Sequence, residues 1–278
     1  MIFPRYDDII LRTKRGLYSL LSGEHDSPFS GEGLEFLEIR EYQSGDDVRH
    51  LNWQATARTR RPAVNRYAER RRLEVLLVYA AHGGMLAGEP VAKHAAAAEI
   101  LSSLAYLATA AGDTPRLLCH RDDDPRWFTP SASRFSAREI YETLRTLPLD
   151  SYRSTPEKLT TELISRLRRR SLILILDDGF ALPELISLAG RHEIYYLCLR
   201  AREEEQPSAS EALYLDPASG ERARLRLGTG ALQRYRERLR AHDTLLEEEL
   251  HRLHIPLGRF FAGEDPHREL QRVLRSAR

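Results

Sequence analysis

Residues 31–72 read GEGLEFLEIREYQSGDDVRHLNWQATARTRRPAVNRYAERRR, and they run directly into the apolar stretch LEVLLVYAAHGGM at residues 73–85. The apolar stretch begins with a continuous run of Leu and β-branched residues, which is typical of a strand buried on both faces. Two similar runs, SLILILDD at 171–178 and EIYYLCLR at 193–200, follow later in the chain. Since helical patterns separate these strands, the sequence predicts an α/β fold with a mostly parallel central sheet.

The segments around these strands carry helix and turn signals. Ser136 with Glu139 and Ser154 with Glu157 have the spacing of capping boxes. We expect Asp47, in the Gly-Asp-Asp turn, to cap one helix over VRHLNWQATAR. The segment EFLEIREYQ fits a strand or an extended arm, and residues 63–68 look extended. Further helices are predicted over residues 6–21, 92–111, 136–147, 154–170, 181–190, 231–253 and 266–276, with strands over 115–120, 127–129 and 255–261 and a hairpin around 217–220.

The composition is that of an ordinary soluble globular protein, with 42% hydrophobic and 30% charged residues. The formal net charge of the 278 residues is +1, so the chain as a whole has no acidic or basic field that would predict a partner. Cys119 and Cys198 lie in apolar stretches, which predicts buried, reduced thiols. The longest uncharged, mostly apolar stretch, 100–112, is shorter than the ~20 residues that span a bilayer, so we expect a cytoplasmic protein without a membrane segment.

The segment ahead of the first apolar strand contains spaced glycines, a Gly-Asp-Asp turn, a Trp and a series of arginines. This pattern resembles, almost position by position, the signature of the bacterial family called domain of unknown function 58 (DUF58). In that family the signature leads into a von Willebrand factor A (vWA)-like domain, which has a Rossmann-type sheet flanked by helices. The resemblance therefore implies an N-terminal lead and extended arm at 1–72 and a vWA-like α/β domain at 73–278. The matching positions are Gly31, Gly33, Glu35, Phe36, Arg40, Tyr42, Gly45, Asp46, Asp47, Arg49, Trp53, Ala57 and Arg58, and a softer match is Lys93.

The resemblance also implies where a metal ion would be held. In vWA-like domains an Asp-x-Ser-x-Ser loop, a threonine and a further aspartate hold magnesium at the end of the sheet. Here the loop positions are Ala80, His82 and Gly84, while Thr155 and Asp178 match the other two. Magnesium needs oxygen ligands in a near-octahedral arrangement, and one carboxylate with one hydroxyl does not supply them. We therefore predict a degenerate metal site that binds no metal.

His82 has two interpretations in this setting. A histidine at the end of a buried strand is most often a hydrogen-bonded structural residue. The sharper hypothesis is that protonated His82 pairs with Asp178, so that a charge pair replaces the metal. Such a pair would raise the pKa of the histidine and lower that of the aspartate.

Two other interpretations of the charged residues remain open. Asp46 and Asp47, beside the signature arginines, could form a catalytic pair, although adjacent aspartates at a helix start are more often a cap and a turn. A ladder of arginines could contact phosphates, although nearby acidic residues favour internal pairing or a protein-binding face. The ladder consists of Arg60, Arg61, Arg66, Arg70, Arg71 and Arg72.

The family resemblance finally implies a class of partner. DUF58 proteins are commonly encoded beside MoxR-type AAA+ ATPases and are thought to act as their adaptors or substrates in complex assembly. We therefore expect a non-enzymatic protein–protein interaction module that binds such an ATPase or other proteins of the same operon. We expect no cofactor and no nucleic acid. Residues 80–84, Thr155, Asp178 and the signature arm are the expected contact surfaces.

Overall fold

A computed structural model describes residues 3–17, 34–43, 46–69, 74–131, 135–149, 152–207, 211–215, 222–226 and 228–275. Short 3-10 turns lie at Val48–His50 and Gly83–Leu86. The helices and strands are, in chain order, α1 (Tyr6–Gly16), β1 (Leu34–Glu41), α2 (Trp53–Thr59), β2 (Ala63–Glu69), β3 (Glu74–Ala80), α3 (Lys93–Ala110), β4 (Pro115–His120), β5 (Arg126–Phe128), α4 (Ser136–Arg145), α5 (Pro156–Arg166), β6 (Ser171–Asp177), α6 (Ile186–Ala189), β7 (Glu193–Arg200), α7 (Arg202–Glu205), β8 (Glu211–Leu215), β9 (Arg222–Arg226), α8 (Thr229–Arg252), β10 (Leu257–Phe261) and α9 (His267–Arg275).

The central sheet has six strands in the order β10-β7-β6-β3-β4-β5. Every neighbouring pair is parallel except β4 with β5, which is antiparallel at one edge. The predicted α/β fold with a mostly parallel central sheet is therefore confirmed. The order of the strands reverses between β3 and β6, because the chain builds outward on one side of β3 and then on the other. In open sheets of this kind ligands bind beyond the carboxyl ends of the strands at that switch point.

The two faces of the sheet are covered by separate apolar clusters. Along β3, Val75, Leu77 and Tyr79 pack into one cluster, which contains much of α3, while Leu76 and Val78 pack into the other. This alternation follows from the two-residue period of a strand, and it explains why the whole run had to be apolar. Helix α3 is itself buried along nearly its whole length, from Lys93 onward.

The lead helix α1 belongs with the large α/β unit. The chain divides into two compact units, Ser30–Arg72 and a larger one formed by Met1–Phe29 with Leu73–Arg278. The family resemblance groups the whole of 1–72 together, whereas Ile9 and Leu17 of the lead are buried in the main apolar cluster. Thr13 is also buried, and its hydroxyl lies 2.8 Å from Ser103 Oγ in α3 and 3.1 Å from His267 Nε2 in α9. The apolar and polar contacts of α1 thus tie it to helices far along the chain.

The smaller unit is a two-stranded antiparallel sheet, β1 with β2, with two short helical segments between the strands in chain order. The single helix expected over VRHLNWQATAR is wrong, because Leu51 leaves the helical path and forms an isolated bridge with Val64. Asp47 caps only the first segment by accepting the Arg49 N–H, and Asn52 caps α2 by accepting the Ala55 N–H.

Both predicted capping boxes are also corrected. Ser136 lies inside α4 and donates to the Ser131 carbonyl, while Glu139 accepts from the Ser131 N–H. Before α5 the N-cap is Thr155, and the Ser154 hydroxyl lies 2.7 Å from His120 Nδ1. In both cases the serine is used to hold a neighbouring loop or strand end, so it is not available to the helix terminus.

The remaining elements lie close to their predicted positions, with one helix much shorter. Of the segment 181–190 only Ile186–Ala189 is helical, since Pro183 lacks an N–H and disfavours helix in the residue before it. The hairpin is present as β8 with β9, while its turn at 217–220 lies outside the described residues. Within the described part of the chain, no helix is long and apolar enough to cross a membrane.

The packing of β10 against α9 yields a stability prediction. A Cβ added at Gly258 would lie 2.7 Å from Phe260 Cε2 and 2.8 Å from Val273 Cγ2, so Gly258→Ala overpacks this contact. We expect a loss of about 1–3 kcal/mol in the free energy of unfolding, measured by urea denaturation. Gly190→Ala is the matched control, because a Cβ added there would have nothing within 4 Å. Equal stability of the two variants would contradict this packing.

Candidate functional site

The carboxyl edge of the sheet, meaning the loops that follow β3, β4, β6, β7 and β10, contains the predicted site. His82 lies two residues beyond the end of β3, and Asp177 and Asp178 stand at the end of β6. Since β3 and β6 are adjacent parallel strands, these side chains meet at the point where the strand order reverses. The order of the strands therefore brings together groups that are far apart in sequence.

His82 contacts both aspartates. Its Nε2 lies 3.3 Å from Asp177 Oδ1 and 3.7 Å from Asp178 Oδ2, so the nearer carboxylate is Asp177, and the hypothesised partner Asp178 is second. Burial alone would lower the pKa of His82, but the hydrogen bond with Asp177 and the charges of both aspartates raise it above its usual value. Burial likewise opposes ionisation of Asp177, yet the contact with His82 leaves the pKa of this carboxyl below its usual value.

Asp177 is held in place by further donors. The Tyr196 hydroxyl donates to Oδ2 over 2.9 Å, and the backbone N–H of Asp178 donates to Oδ1 over 2.8 Å. Both oxygens of this carboxylate are therefore engaged within the protein. Burial, together with the Asp177 charge, raises the pKa of Tyr196 well above its usual value, so the phenol stays protonated and keeps donating.

A buried ammonium group completes the cluster. Lys93 is fully buried at the first residue of α3, and its Nζ lies 3.1 Å from Asp178 Oδ2 and 2.6 Å from Glu204 Oε1. The second oxygen of Glu204 accepts a hydrogen bond from the Ala201 N–H, which holds the start of the short helix α7 in place. Lys93 appeared in the sequence only as a soft family match. Nothing local in the sequence indicated that it would contact carboxylates 85 and 111 residues away.

The loop after β6 is held in place by Arg200. Its guanidinium donates to the carbonyls of Asp178 and Gly179 and forms a two-point ion pair with Asp243. Although burial opposes the charge of Arg200, the hydrogen bond with Asp243 raises its pKa above the usual value. The ring of Phe180 covers both buried cations, with its centroid 5.5 Å from Lys93 Nζ and 4.7 Å from Arg200 Cζ.

Of the five positions predicted for the degenerate metal site, His82 and Asp178 belong to this cluster, and Ala80, Gly84 and Thr155 lie near it. Ala80 and Thr155 line one narrow pocket together with Asp177. A Cβ added at Gly84 would lie 2.9 Å from His82 Nδ1 and 3.2 Å from Asp178 Oδ2, so Gly84 packs directly against both. Thr155 is engaged elsewhere, because its N–H and hydroxyl both donate to Asp122 Oδ1, over 2.7 and 3.3 Å.

The side chains present do not fit a magnesium ion. Among the described residues, ligand atoms of His82, Asp177 and Asp178 lie within 4.8 Å of one another, which is close enough for a metal ion in general. However, the oxygens of Asp177 already contact the His82 ring, the Asp178 N–H and the Tyr196 hydroxyl. The Lys93 ammonium also donates a hydrogen bond to Asp178 Oδ2. A hard divalent ion needs oxygen ligands in octahedral geometry, and a histidine nitrogen beside an ammonium group does not supply them.

The signature residues of the smaller unit form local ion pairs. Arg40 binds Asp46 through two nitrogens at 2.9 and 2.6 Å, and Arg49 binds Asp47 at 2.7 Å. The pKa of Asp46 is lowered, and that of Asp47 is lowered to about 2, in each case chiefly by hydrogen bonds from the arginine. These carboxylates are therefore ionised and occupied.

Other signature positions lie on the surface or beyond the described part of the chain. Trp53 is 73% exposed, and Tyr42 is 36% exposed. Of the arginine ladder, Arg61 pairs with Glu41 at 2.8 Å. Ala57, Arg58 and Arg60 are exposed, Glu35, Phe36 and Arg66 lie in β1 and β2 with undescribed side chains, and Gly31, Gly33, Gly45, Arg70, Arg71 and Arg72 lie outside the described residues.

Comparison with known proteins places the chain in a family. Residues 38–245 match the family described as "Protein of unknown function DUF58". The chain belongs to the DUF58 family. It is similar to uncharacterized proteins of Mycobacterium tuberculosis (strain H37Rv) and Mycobacterium bovis. Each is 26% identical over 223 residues, which cover 76% of this chain and 69% of the relative.

The cluster predicts a specific titration. We expect the His82 imidazole to titrate above its ordinary pKa of 6.5, as measured by NMR, because Asp177 and Asp178 stabilise its charged form. Its stabilising contribution is then complete below pH ~6.5 and is lost as the pH rises through the folded-state pKa. Asp177→Asn should lower the pKa, whereas Asp123→Asn, at a 93% exposed carboxylate, should leave it unchanged. Titration of wild-type His82 at or below 6.5 would contradict the geometry.

Proposed function

We propose that this DUF58 protein is a non-enzymatic protein–protein interaction module that acts as an adaptor or substrate of a MoxR-type AAA+ ATPase. Its vWA-like carboxyl edge serves as the contact surface and works without a metal ion. The observation that carries the proposal is the buried Lys93 ammonium between Asp178 and Glu204. The choice of ATPase comes from the family resemblance.

The sheet topology supports a vWA-like domain. Counted along the chain, the six strands have the order 3-2-1-4-5-6 that doubly wound sheets share, with an antiparallel strand at one edge. The residues matched to the family's metal loop, His82 and Gly84, lie against Asp178, which matches its third-loop aspartate. Both features agree with a metal-binding architecture whose ligands have been replaced.

The lysine supplies the positive charge that a metal ion would otherwise bring. Two carboxylates facing each other in a partly buried site repel and are poorly solvated, so a cation is needed between them. Lys93 provides one covalently attached charge at 3.1 and 2.6 Å, and it is fully shielded from solvent. A divalent ion entering this place would have to displace an ammonium that cannot leave. The edge is therefore complete without a metal.

Apart from His82, which is paired with Asp177 and Asp178, the ionised carboxylates and the buried thiols favour a binding role over catalysis. General acid–base catalysis requires a group whose pKa lies near the working pH, within reach of a substrate. Asp46, Asp47 and Asp177 have lowered pKa values and are occupied by arginine or histidine. Burial raises the pKa of both Cys119 and Cys198 to about 12, so neither is an activated nucleophile.

A binding experiment tests the proposed function. The probe is a MoxR-type ATPase from the same organism, loaded with nucleotide and magnesium and then freed of unbound magnesium by gel filtration. The DUF58 protein is stripped with chelator, dialysed and titrated by biolayer interferometry. We expect stripped and untreated protein to bind equally, and Ile186→Asp, at a 63% exposed position in the segment after β6, to weaken binding at least tenfold.

The matched control is Ile164→Asp, at a 41% exposed position near the end of α5, farther from the carboxyl edge. This variant should bind within twofold of the wild type. Loss of binding on stripping that magnesium restores would refute the metal-independent edge. Equal binding by all variants would refute the edge as the contact surface.

Restoring the metal ligands provides a separate prediction. The variant Ala80→Asp/His82→Ser/Gly84→Ser restores the family loop, and His82 must change because a Cβ at position 84 would meet its ring at 2.9 Å. We expect calorimetry to show at least tenfold weaker magnesium binding by this triple variant than by the same variant with Lys93→Met, since the ammonium occupies Asp178. Circular dichroism verifies folding of each variant. Tight magnesium binding by the triple variant would show that Lys93 does not exclude the ion.

A further inference from the structure

Three exposed apolar side chains stand on the loop and short helix after β6. Phe180 is 41% exposed, Leu182 is 40% exposed and Ile186 is 63% exposed. They follow directly on Asp178 at the switch point, whereas the intervening Pro183 and Leu185 are buried. We call Phe180, Leu182 and Ile186 the apolar patch. Exposed large apolar side chains that are close together in the chain point to a site of interaction.

The backbone that carries the patch is held by the protein itself. The Phe180 N–H donates to Asp178 Oδ1, and the Gly179 carbonyl lies 2.8 Å from His242 Nε2. Arg200 also donates hydrogen bonds to the carbonyls of Asp178 and Gly179. The backbone at the start of the patch is therefore fixed before a partner binds, which lowers the entropic cost of binding there.

The loops around the patch are acidic. After β4 the chain reads RDDD at 121–124, and after β7 it reads REEE at 202–205. The single arginine of each motif is already paired, Arg121 with Asp124 and Arg202 with Glu264. Further carboxylates in these loops are Asp177, Asp178, Glu184, Glu264 and Asp265.

Most cations at this edge are already paired with carboxylates. The exposed Arg126, Lys158 and Arg202 pair with Asp124, Asp123 and Glu264. Lys93, Arg121 and Arg200 are almost completely buried and are committed to internal contacts. In contrast, Glu184 and Glu203 are exposed, and neither forms an ion pair with any residue that the structure describes. A partner at this edge therefore meets negative charge, although the whole chain has a formal net charge of +1.

Four exposed arginines lie at the opposite end of the sheet. The segment RRR at 168–170 precedes β6, and Arg191 precedes β7, and all four arginines are exposed. Adjacent parallel strands begin at the same edge, with Leu172 opposite Glu193, so these arginines lie at one edge. The sheet is thus electrically polar, with an acidic carboxyl edge and a basic amino edge.

These observations define the chemistry of the partner. An open metal site presents positive charge and attracts an anionic ligand. Here the substituting charge, Lys93, is 0% exposed and cannot reach a partner's carboxylate. The exposed groups without an ion-pair partner among the described residues of this surface include the carboxylates of Glu184 and Glu203, so the surface favours a cationic ligand over an anionic one.

We propose that the carboxyl edge binds a basic segment of a partner protein, in which arginine or lysine alternates with large apolar side chains. The apolar side chains pack on Phe180, Leu182 and Ile186. The cations pair with Glu184, which lies between two patch residues in the chain, and with Glu203, next to the lysine-bound Glu204 of α7. This inference rests on the proposed function, because it names the partner chemistry of that same surface.

The test uses the full chain and two fluorescein-labelled synthetic peptides, one of six alternating Arg and Leu residues and one of six alternating Glu and Leu residues. Fluorescence anisotropy at 150 mM salt is expected to show at least tenfold tighter binding of the basic peptide. The double variant Glu184→Lys/Glu203→Lys should reduce that affinity at least tenfold. Ile186→Ser, which leaves the charge unchanged, should reduce it at least threefold.

The matched control is Glu142→Lys/Glu248→Lys, which makes the same change in net charge at exposed positions on α4 and α8. This variant should stay within twofold of the wild type. Preference for the acidic peptide, or an equal loss in the control, would overturn the proposal. So would sedimentation showing self-association that Glu184→Lys/Glu203→Lys abolishes, because the occupant would then be the basic edge of a second copy.

The same charge variants separate this inference from the proposed function. If Ile186→Asp abolishes binding to the ATPase while Glu184→Lys/Glu203→Lys leaves it intact or tightens it, the edge is the contact surface and the basic partner is wrong. If neither the apolar nor the charge variants affect ATPase binding, the proposed function itself fails.

Discussion

The carboxyl edge depends on one buried ammonium group. Lys93 joins the start of α3 to Asp178 after β6 and to Glu204 after β7, through contacts of 3.1 and 2.6 Å. These three segments border the point where the strand order reverses. One side chain therefore connects segments that follow three different strands of the sheet. Removing it would leave Glu204 without this cation and Asp178 with only His82, in a partly buried place, which is far more costly than losing an exposed ion pair.

Much of the fold could be predicted because its strands are buried on both faces. The strand interiors at 75–80, 172–176 and 194–199 had to be almost entirely apolar, and that pattern has few alternative explanations. The predictions failed where polar side chains are used at a distance. The Ser154 hydroxyl hydrogen-bonds with His120, and Leu51 forms a β-bridge with Val64. Both partners are too far away in sequence to be predicted from the neighbouring residues.

The candidate site shows the same division. Family resemblance identified His82, Gly84 and Asp178, and the structure brings these three together. It gave Lys93 only as a softer match without a role and did not indicate Glu204, because their roles depend on how the chain crosses from one side of the sheet to the other. An isolated lysine at a helix start carries no local sign of burial. The charge polarity of the sheet was hidden too, because acidic and basic loops cancel in the net charge of +1.

The contact between Thr13 and His267 has a consequence for how the protein is made. The two residues are 254 positions apart, and their side chains lie 3.1 Å from each other. Chains leave the ribosome from the N-terminus onward, so the first helix emerges long before its last polar partner has been synthesised. Until α9 has been synthesised, the buried face of α1 is not completely covered by the apolar cluster. A chain without α9 would leave part of that face uncovered, so α1 and α9 depend on each other for burial although they are far apart in sequence.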